Sequence, residues 1–404
     1  MAEGRAPTIV VASDAFKGSL KSLEVGDAVR LGLLDVAPAA RVVVVAVADG
    51  GEGTVAAALA AGWVAAPVAV HGPTGEPVAA TLAVAPTGSR VTVVVEMADA
   101  CGLGRLPGGI PAPLTASSRG LGEALSAALD LGADTVVVGV GGSASTDGGA
   151  GLLAALGARL LDADGNELPD GGAALAGLDR LDLSGLDPRL SATTLVLAAD
   201  VDSPLLGPTG AAVVFAPQKG ATPDDVTALE AALTHWADIV GAGLAVPEST
   251  NRSHQGQQAG AGAAGGVGFA LLAVLGAQRH SGVEVVLDVA GLDDVLAGAP
   301  SEGDDQRRRP DLLVTGEGAL DEQTLAGKAV SGVARRAQAH GIPAVAVCGR
   351  RTLDDDGLAT LGLRAAYPLS DLEPDPQRSI KEAGNLLRRT GRRIAQDWLS
   401  RAPG

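Results

Sequence analysis

Aromatic residues are scarce in this sequence of 404 residues. Phe, Trp and Tyr together make up 2% of the chain, although 47% of its residues are hydrophobic. Small aliphatic residues and glycine must therefore fill the interior, which favours layers of helices packed on sheets. The length predicts two to three domains, and we favour two.

Cysteine and metal-ligand patterns are nearly absent. Cys101 and Cys348 are the only cysteines and have no C-x-x-C spacing, so we expect two reduced, buried thiols. The five histidines show no metal-ligand spacing, and there is no G-x-S-x-G elbow and no Walker A loop. These absences argue against zinc chemistry and against a serine hydrolase.

Positive charge is also in short supply, because the formal net charge is −17. Such a chain repels nucleic acid and anionic membrane surfaces, yet backbone N–H groups and a few cations can still bind a small anion. The sequence shows no secretory leader and no uninterrupted apolar run of about 18 residues. We therefore predict a cytoplasmic protein with no nucleic-acid partner and no membrane partner.

Strand–helix alternation dominates what the sequence does contain. "TIVVAS" (Thr8–Ser13) and "RVVVVAVAD" are apolar runs typical of buried strands, and a helical pattern follows each. This βαβα start predicts a parallel sheet. From about residue 64, strand-like runs are broken by turn residues such as "PTGS", which predicts antiparallel strands.

These patterns predict an α/β fold: two α/β domains with an interdomain cleft. A discontinuous, parallel, Rossmann-like domain spans residues 1–68 and 287–404, and an inserted domain with a mixed sheet spans residues 69–286. We further predict a long helix at "DDVTALEAALTHWADIVG", a mobile loop at "PESTNRSHQGQQAGAGAAGG", and a last helix near residues 377–399 with Ile380, Ala383 and Ile394 near one face.

Glycine-rich turns recur near the ends of apparent strands. They are "DGGEGT" (Asp49–Thr54), "GVGGSASTDGG" from Gly139, "GAGAAGGVG" from Gly260 and "TGEGALDEQTLAGK" from Thr315. Ligands bind at the carboxyl ends of strands in open α/β sheets, and glycine exposes N–H groups that can cradle phosphate. The turns therefore predict a phosphate or nucleotide site.

A nicotinamide enzyme is an alternative. Gly260, Gly262 and Gly265 fit G-x-G-x-x-G but follow no strand, whereas Gly139, Gly141 and Ala144 fit a looser variant after a strand. Two acidic residues, Asp162 and Asp164, lie about 20 residues further on, as this fingerprint requires.

Carboxylates and lysines accompany the turns. The carboxylates are Asp14, Asp49, Glu52, Asp147, Asp200, Asp202, Asp288, Glu317 and Asp321. Phosphoryl transfer uses such oxygen ligands for Mg²⁺ and needs a base for the attacking hydroxyl. Of only five lysines, Lys17, Lys219 and Lys328 each adjoin glycine, and lysine is a point charge suited to phosphate or carboxylate.

Taken in order, the motifs "SDAFKGSL", "ADGGEGT", "GVGGSASTDGGAG", "ADVDSPLLGPTGAAVVFAPQKGA", "GAGAAGGVG" and "TGEGALDEQTLAGK" resemble the bacterial glycerate kinases of the glyoxylate and glucarate pathways. The resemblance runs almost end to end. Ala15, Cys101, Arg119 and Ser203 depart from the family pattern, which puts substrate preference in question more than the reaction.

The resemblance implies transfer of the ATP γ-phosphate to a hydroxyl of D-glycerate with Mg²⁺, giving 2-phosphoglycerate, by a monomer or homodimer. On this basis Lys17, Asp200 and Lys328 are candidate catalytic residues, and Asp49, Asp288 and Glu317 are candidate metal ligands. Asp200 is either the base toward the acceptor hydroxyl or a further metal ligand. Asp147 either caps the following helix or faces the metal, and Glu52 is a candidate cap for the helix that begins beside it.

The candidate substrate- or nucleotide-binding residues belong to the same motifs: Ser13, Asp14, Gly18, Ser19, Gly50, Gly51, Gly141, Gly142, Ser143, Ser145, Thr146, Lys219, Gly262, Gly265, Gly316, Gly318 and Thr324. Two other functions stay open at this point. An NAD(P)-dependent oxidoreductase would act on a small hydroxy acid without using ATP, and a non-catalytic ligand-binding module would bind without turnover.

Overall fold

The computed structural model describes residues 6–16, 18–86, 90–243, 256–298, 309–325, 327 and 329–399. The chain divides into two compact units. The first unit comprises Met1–Asp49, Ala56–Ala61 and Val283–Gly404, and the second comprises Gly50–Val55 and Gly62–Gly282.

The strands of the described residues are, in chain order, β1 (Thr8–Ser13), β2 (Arg41–Ala46), β3 (Val64–His71), β4 (Pro77–Val84), β5 (Thr92–Glu96), β6 (Thr135–Gly139), β7 (Arg159–Leu161), β8 (Arg180–Asp182), β9 (Thr194–Ala198), β10 (Gln278–His280), β11 (Leu312–Leu320), β12 (Ala344–Arg351) and β13 (Leu363–Pro368).

The helices are α1 (Ser22–Val36), α2 (Thr54–Ala60), α3 (Met97–Cys101), α4 (Arg119–Asp130), α5 (Ala150–Ala155), α6 (Ala211–Phe215), α7 (Pro223–Gly243), α8 (Ala263–Phe269), α9 (Gly282–Val289), α10 (Leu292–Leu296), α11 (Glu322–Leu325), α12 (Ala329–Ala339), α13 (Asp355–Thr360), α14 (Pro376–Lys381) and α15 (Ala383–Trp398). The described residues also include short 3₁₀ turns and a π-helical turn at Ala270–Val274.

The sheet of the first unit is parallel throughout, in the order β13-β12-β11-β1-β2. Successive residues of β1 enter opposite cores: Ile9 and Val11 pack on the face that α1 and α15 cover, and Val10 and Ala12 pack on the other. Burial on both faces explains why β1 is an unbroken apolar run. The predicted parallel sheet is confirmed.

The second unit has a mixed six-stranded sheet in the order β10-β9-β6-β5-β4-β3. Strands β5, β6, β9 and β10 run parallel, whereas β3 and β4 form an antiparallel hairpin that joins at β5. Large buried side chains such as Trp236 and Phe269 pack in its core. The predicted mixed sheet is confirmed, and β7 and β8 form a separate two-stranded sheet.

The unit boundaries lie several residues from the predicted domain boundaries. A boundary at 68/69 would cut β3, yet every residue of β3 pairs with β4, so the whole strand belongs with the second unit. The predicted boundary at 286/287 lies in the middle of α9, whereas the unit boundary follows Gly282, the first residue of that helix.

Two local predictions were wrong. The last helix is two helices, α14 and α15, separated at Glu382, and Ile380 on α14 is 45% exposed instead of lying on the buried face. Strand β11 continues to Leu320, so Gly316, Glu317 and Gly318 lie within a strand and not in a turn. The long helix was predicted correctly as α7. Residues 247–255 of the predicted mobile loop lie outside the described residues, and α8 begins at Ala263 within the remainder of that stretch.

Candidate active site

The carboxyl ends of three parallel strands lie side by side in the second unit. Glu96 of β5 pairs in register with Gly139 of β6, which pairs with Ala198 of β9. The segments that follow these ends carry Gly141 to Thr146 and Asp200. Because ligands of open α/β sheets bind at this edge, the register alone brings these candidate residues to one end of the sheet.

Two of the glycine-rich segments pack directly on each other. A Cβ at Gly141 would collide with the Cα of Gly51, and a Cβ at Gly50 would come 2.5 Å from the Cα of Gly282. Gly50 also has a φ of 80°, which few other residues adopt. These glycines permit close backbone packing, and the structure brings Gly50, Gly51 and Gly141 together as one site.

Lys219 lies beneath the Ser143–Thr146 segment rather than at the surface. Its side chain is 2% exposed, and Nζ donates to Ser143 Oγ at 2.7 Å and to the Ser145 carbonyl at 2.5 Å. Burial lowers the pKa of Lys219 to about 7, against the opposing effect of Asp147. The buried ammonium holds the segment in shape from below.

The Asp147 side chain is a helix cap. Its carboxylate accepts from the Ser118 N–H at 2.8 Å, from Ser118 Oγ at 2.8 Å and from Gly149 N–H at 3.1 Å, with a further contact from the Gly151 N–H at 3.3 Å. Burial raises the pKa of Asp147, and these donors oppose that rise. The side chain therefore serves the starts of α4 and α5 and not a metal ion.

The Gly260–Gly266 segment covers the same loop. Gly262 packs on the Pro204 carbonyl, Gly265 packs on Ser145, and the Gly148 N–H donates to the Gly265 carbonyl at 3.0 Å. Ala264 itself has a φ of 54°, a strained value for alanine. Gly262 and Gly265 thus pack on other loops of this unit. Within the described residues, the buried hydroxyls of Ser145 and Thr146 have no hydrogen-bond partner.

Asp200 lies at the carboxyl end of β9 and is exposed. Its Oδ1 accepts from Ser281 Oγ and from the Gly282 N–H, both at 2.8 Å, so it caps the start of α9. Asp202 lies beside it in an ion pair with Arg279.

The first unit contains a cavity of about 340 Å³ that brings five candidate residues together: Asp14, Ser19, Asp49, Glu317 and Gly318. Asp14 follows β1, Glu317 lies late in β11, and Asp49 follows β2. Phe16, Leu369 and Ile380 form apolar parts of the wall. Carboxylates therefore collect at the carboxyl ends of three neighbouring parallel strands.

The neighbouring candidates have local roles around this cavity. Ser19 Oγ donates to the Ile380 carbonyl at 2.8 Å, which ties the 14–20 loop to α14. Thr324 Oγ1 donates to Glu317 Oε1, and Ser13 Oγ donates to the Asp14 carbonyl at 3.0 Å. Gly316 is packed against Val347 and Ser13, where a Cβ would not fit. Gly18 is an exposed turn residue with a φ of 78°.

The acidic wall of this cavity contains two of the three predicted metal ligands. Among the described residues, no three His, Cys, Asp or Glu side chains lie close enough to hold a metal ion by themselves. Mg²⁺ commonly takes one or two carboxylates and completes its shell with phosphate oxygens and water. Asp49 and Glu317 suit that role.

The third predicted ligand lies elsewhere. Asp288 is on helix α9, is mostly exposed, and pairs with Arg336 at 2.7 Å. It does not line the cavity that holds Asp49 and Glu317. Lys17 and Lys328, the two candidate catalytic lysines, lie outside the described residues.

Glu96 is a site residue that the sequence analysis missed. It is 7% exposed, and its carboxylate accepts from the N–H groups of Gly53 and Val55 at the start of α2. Glu52, the predicted cap, is exposed instead. The available clue was a lone charge ending the apolar run "VTVVVE".

The nicotinamide alternative lacks its structural context. Asp162 and Asp164 do not follow a strand of the main sheet, because β7 pairs with β8 in the separate two-stranded sheet. Asp162 is exposed and caps its own turn through the N–H groups of Asp164 and Asn166. Neither carboxylate is therefore placed to hold a ribose beside the Gly139–Gly142 turn.

The two cysteines are free and buried, as predicted. Burial raises the pKa of both thiols to about 12. None of the helices in the described ranges is long and apolar enough to cross a membrane.

Polar loops at the carboxyl ends of parallel strands are typical of α/β enzymes that bind small anionic substrates. The model of the glycerate kinase family matches residues 9–399. The chain is 40% identical over 389 residues to the glycerate kinase of Bacillus subtilis (strain 168), covering 96% of each protein. It is 39% identical over 388 residues to the glycerate 2-kinase of Escherichia coli (strain K12), covering 96% of this chain and 97% of that protein.

A solved structure described as a glycerate kinase 2 of Salmonella typhimurium LT2 superposes with a TM-score of 0.77. It is 39% identical, and the match covers 97% of this chain and 98% of that one. The chain therefore belongs to the glycerate kinase family.

Proposed function

We propose that this protein is an ATP-dependent glycerate kinase that phosphorylates D-glycerate and yields 2-phosphoglycerate. Membership of the family supports the reaction, and the name of the Escherichia coli relative supports the 2-position. The observation that carries the proposal is the cavity of the first unit, which Asp14, Asp49 and Glu317 line. Such carboxylates can receive a nucleotide that arrives with Mg²⁺.

Asp49 and Glu317 would hold that ion, which neutralises negative charge on the phosphates when it is bound. Thr324 supports this role, because its hydroxyl fixes Glu317 by donating to Oε1. Lys17 and Lys328 are proposed to face phosphate or the glycerate carboxylate as point charges. These assignments rest on the sequence, since neither lysine is among the described residues.

Asp200 is proposed as the base. The glycerate hydroxyl oxygen forms a bond to the γ-phosphorus, the bond from that phosphorus to the β-bridging oxygen breaks, and the hydroxyl proton passes to Asp200. Ser281 Oγ and the Gly282 N–H hold the carboxylate in place at 2.8 Å. A base held in a fixed orientation loses less entropy on reaching the transition state, so the barrier is lower.

The Gly141–Thr146 segment is proposed to bind part of ATP or glycerate through its N–H groups and hydroxyls. Buried Lys219 maintains its shape through Ser143 and Ser145, so the donors are arranged before a ligand arrives. We place Lys219 in a supporting role, because its Nζ is used by Ser143 and Ser145. Cytoplasmic location and a monomeric or homodimeric state stay predictions.

The test is an ADP-release assay with ATP, Mg²⁺ and D-glycerate, followed by ³¹P NMR of the product. We expect ADP formation that requires both D-glycerate and Mg²⁺, and a product spectrum of 2-phosphoglycerate. Reactions without glycerate and with EDTA are the controls. A 3-phosphoglycerate spectrum would contradict the proposed position, and an absence of glycerate-dependent ADP would contradict the kinase itself.

A further inference from the structure

We propose that Glu96 is a positioning residue that holds the Gly50–Val55 loop against the Gly139–Gly142 loop for the reaction. The catalytic part of this inference rests on the proposed kinase function. Glu96 ends β5, between the two loops, and no motif in the sequence marked it.

The contacts of Glu96 are entirely with backbone. Oε1 accepts from the Gly53 N–H at 3.1 Å, and Oε2 accepts from the Val55 N–H at 2.9 Å. Groups at the start of a helix have no partner within it, so the carboxylate satisfies donors that α2 leaves open. Both oxygens are engaged, which suits a supporting role and not contact with a substrate.

The pairing of β5 with β6 places the Gly139–Gly142 loop next to the loop that Glu96 holds. Glu96 pairs with Gly139 on β6, and the position of a Cβ on Gly139 lies 3.1 Å from the Gly50 carbonyl and 3.2 Å from Thr54 Oγ1. Thr54 Oγ1 in turn donates to the Gly51 carbonyl at 2.8 Å. The start of the Gly139–Gly142 loop thus adjoins the loop that Glu96 fixes.

The charge environment makes this support sensitive to pH. Burial raises the pKa of Glu96 to about 7, Asp99 and Glu52 add to the rise, and the two N–H donors oppose it. Asp99 is itself paired with Arg105. Protonation of Glu96 weakens its acceptance of the two backbone hydrogen bonds, so the loop loses its anchor as pH falls through about 7.

The experiment compares Glu96→Gln with the wild type. Both oxygens of Glu96 accept a hydrogen bond, whereas glutamine has one acceptor oxygen. The NH₂ group of glutamine is a donor and would face the second backbone N–H, which is also a donor. We expect faster amide hydrogen exchange in residues 50–55 and a fall in kcat/KM of about 100-fold, the effect of a misplacement of about 1 Å. The wild-type kcat/KM should decline below a pH of about 7, and the variant should lack this decline.

Asp134→Asn is the matched control. Asp134 accepts from the Val91 N–H at 2.7 Å at the amino ends of β5 and β6, far along the same strands from Glu96. Its variant should keep the wild-type kcat/KM and the wild-type exchange of residues 50–55. If Glu96→Gln does not fold, Glu96→Asp keeps the charge with a shorter reach and should lose about tenfold, as one charge-assisted hydrogen bond would predict.

Unchanged exchange and kcat/KM in the folded Glu96 variant would overturn the inference, as would an equal loss in Asp134→Asn. A wild type without glycerate-dependent ADP formation would overturn the proposed function alone. In that case exchange in residues 50–55 still decides whether Glu96 holds the loop.

Discussion

Replacing Lys219 with methionine is expected to change how the stability of the second unit depends on pH. Methionine fills most of the space of the lysine side chain but carries no charge and no donor. The variant removes the donors to Ser143 Oγ and the Ser145 carbonyl. Each buried acceptor left without a donor costs about 1–3 kcal/mol.

At neutral pH, burial of the Lys219 charge lowers the free energy of unfolding of the wild type. Burial lowers its pKa from an ordinary 10.5 to about 7. The unfolded chain therefore binds more protons than the folded chain between these values, and the free energy of unfolding rises with pH across that window. At about 1.36 kcal/mol per pKa unit, the full gain is about 5 kcal/mol.

These magnitudes predict a difference that depends on pH. At pH 10 Lys219→Met should be about 2–6 kcal/mol less stable than the wild type, because it lacks two hydrogen-bond donors. At pH 7 the difference should shrink by about 3–4 kcal/mol, since only the wild type holds a lysine whose charge is opposed by burial.

The assay is urea unfolding followed by tryptophan fluorescence at pH 7, 8, 9 and 10. Both proteins should carry Trp398→Phe, because the remaining Trp63 and Trp236 then report on the second unit alone. A stability difference between Lys219→Met and the wild type that stays constant from pH 7 to 10 would refute the reasoning.

Three further predictions follow from the proposed site. Lys17→Ala should lower kcat/KM strongly with an unchanged melting temperature, and near-normal turnover would remove Lys17 from the mechanism. Asp49→Asn should raise the Mg²⁺ concentration for half-maximal rate, whereas Asp293→Asn, which alters an ion pair with Arg336, should not; equal effects would argue against the metal role. Asp147→Ala should lower the free energy of unfolding by about 2–4 kcal/mol, because buried N–H groups lose their acceptor; an unchanged urea midpoint would contradict its capping role.

The parallel sheet of the first unit was predictable because β1 is buried on both faces and is therefore an unbroken apolar run. Strand β2 is only partly buried, yet it carries a similar apolar run that the sequence displays directly. The extent of β11 was not predictable in this way. The glycines of β11 indicate a turn locally. The strand nevertheless continues through Gly316, because it pairs with β1 on one side and with β12 on the other.

The break between α14 and α15 escaped prediction for a related reason. The apolar spacing continues from Ile380 into Ala383 and Leu387, so periodicity alone describes one helix. Ile380 instead lines the cavity of the first unit. A residue that lines a cavity can therefore fit the helical spacing although its side chain does not face the core.

The motifs that form the site were predictable from the sequence, but the role of each residue within them was not. Glycine-rich segments mark where backbone approaches closely, and the sequence identified Gly50, Gly51 and Gly141 on that ground. It could not show that they approach each other, because that contact depends on strand register. The sequence does not show whether Asp147 and Lys219 are exposed or buried. Only their burial in the structure assigns both side chains a supporting role.

The strand order of the first unit has a consequence for synthesis of the chain. Strand β1 lies between β2 and β11, and the Thr8 N–H donates to Asp311 across 303 positions of sequence. One long edge of β1 therefore has no partner until the last quarter of the chain leaves the ribosome. The second unit, apart from Gly50–Val55, is continuous from Gly62 to Gly282 and is complete before then. The N-terminal strands therefore lack their third partner while the second unit is already complete, and their unpaired edge is open to aggregation during translation.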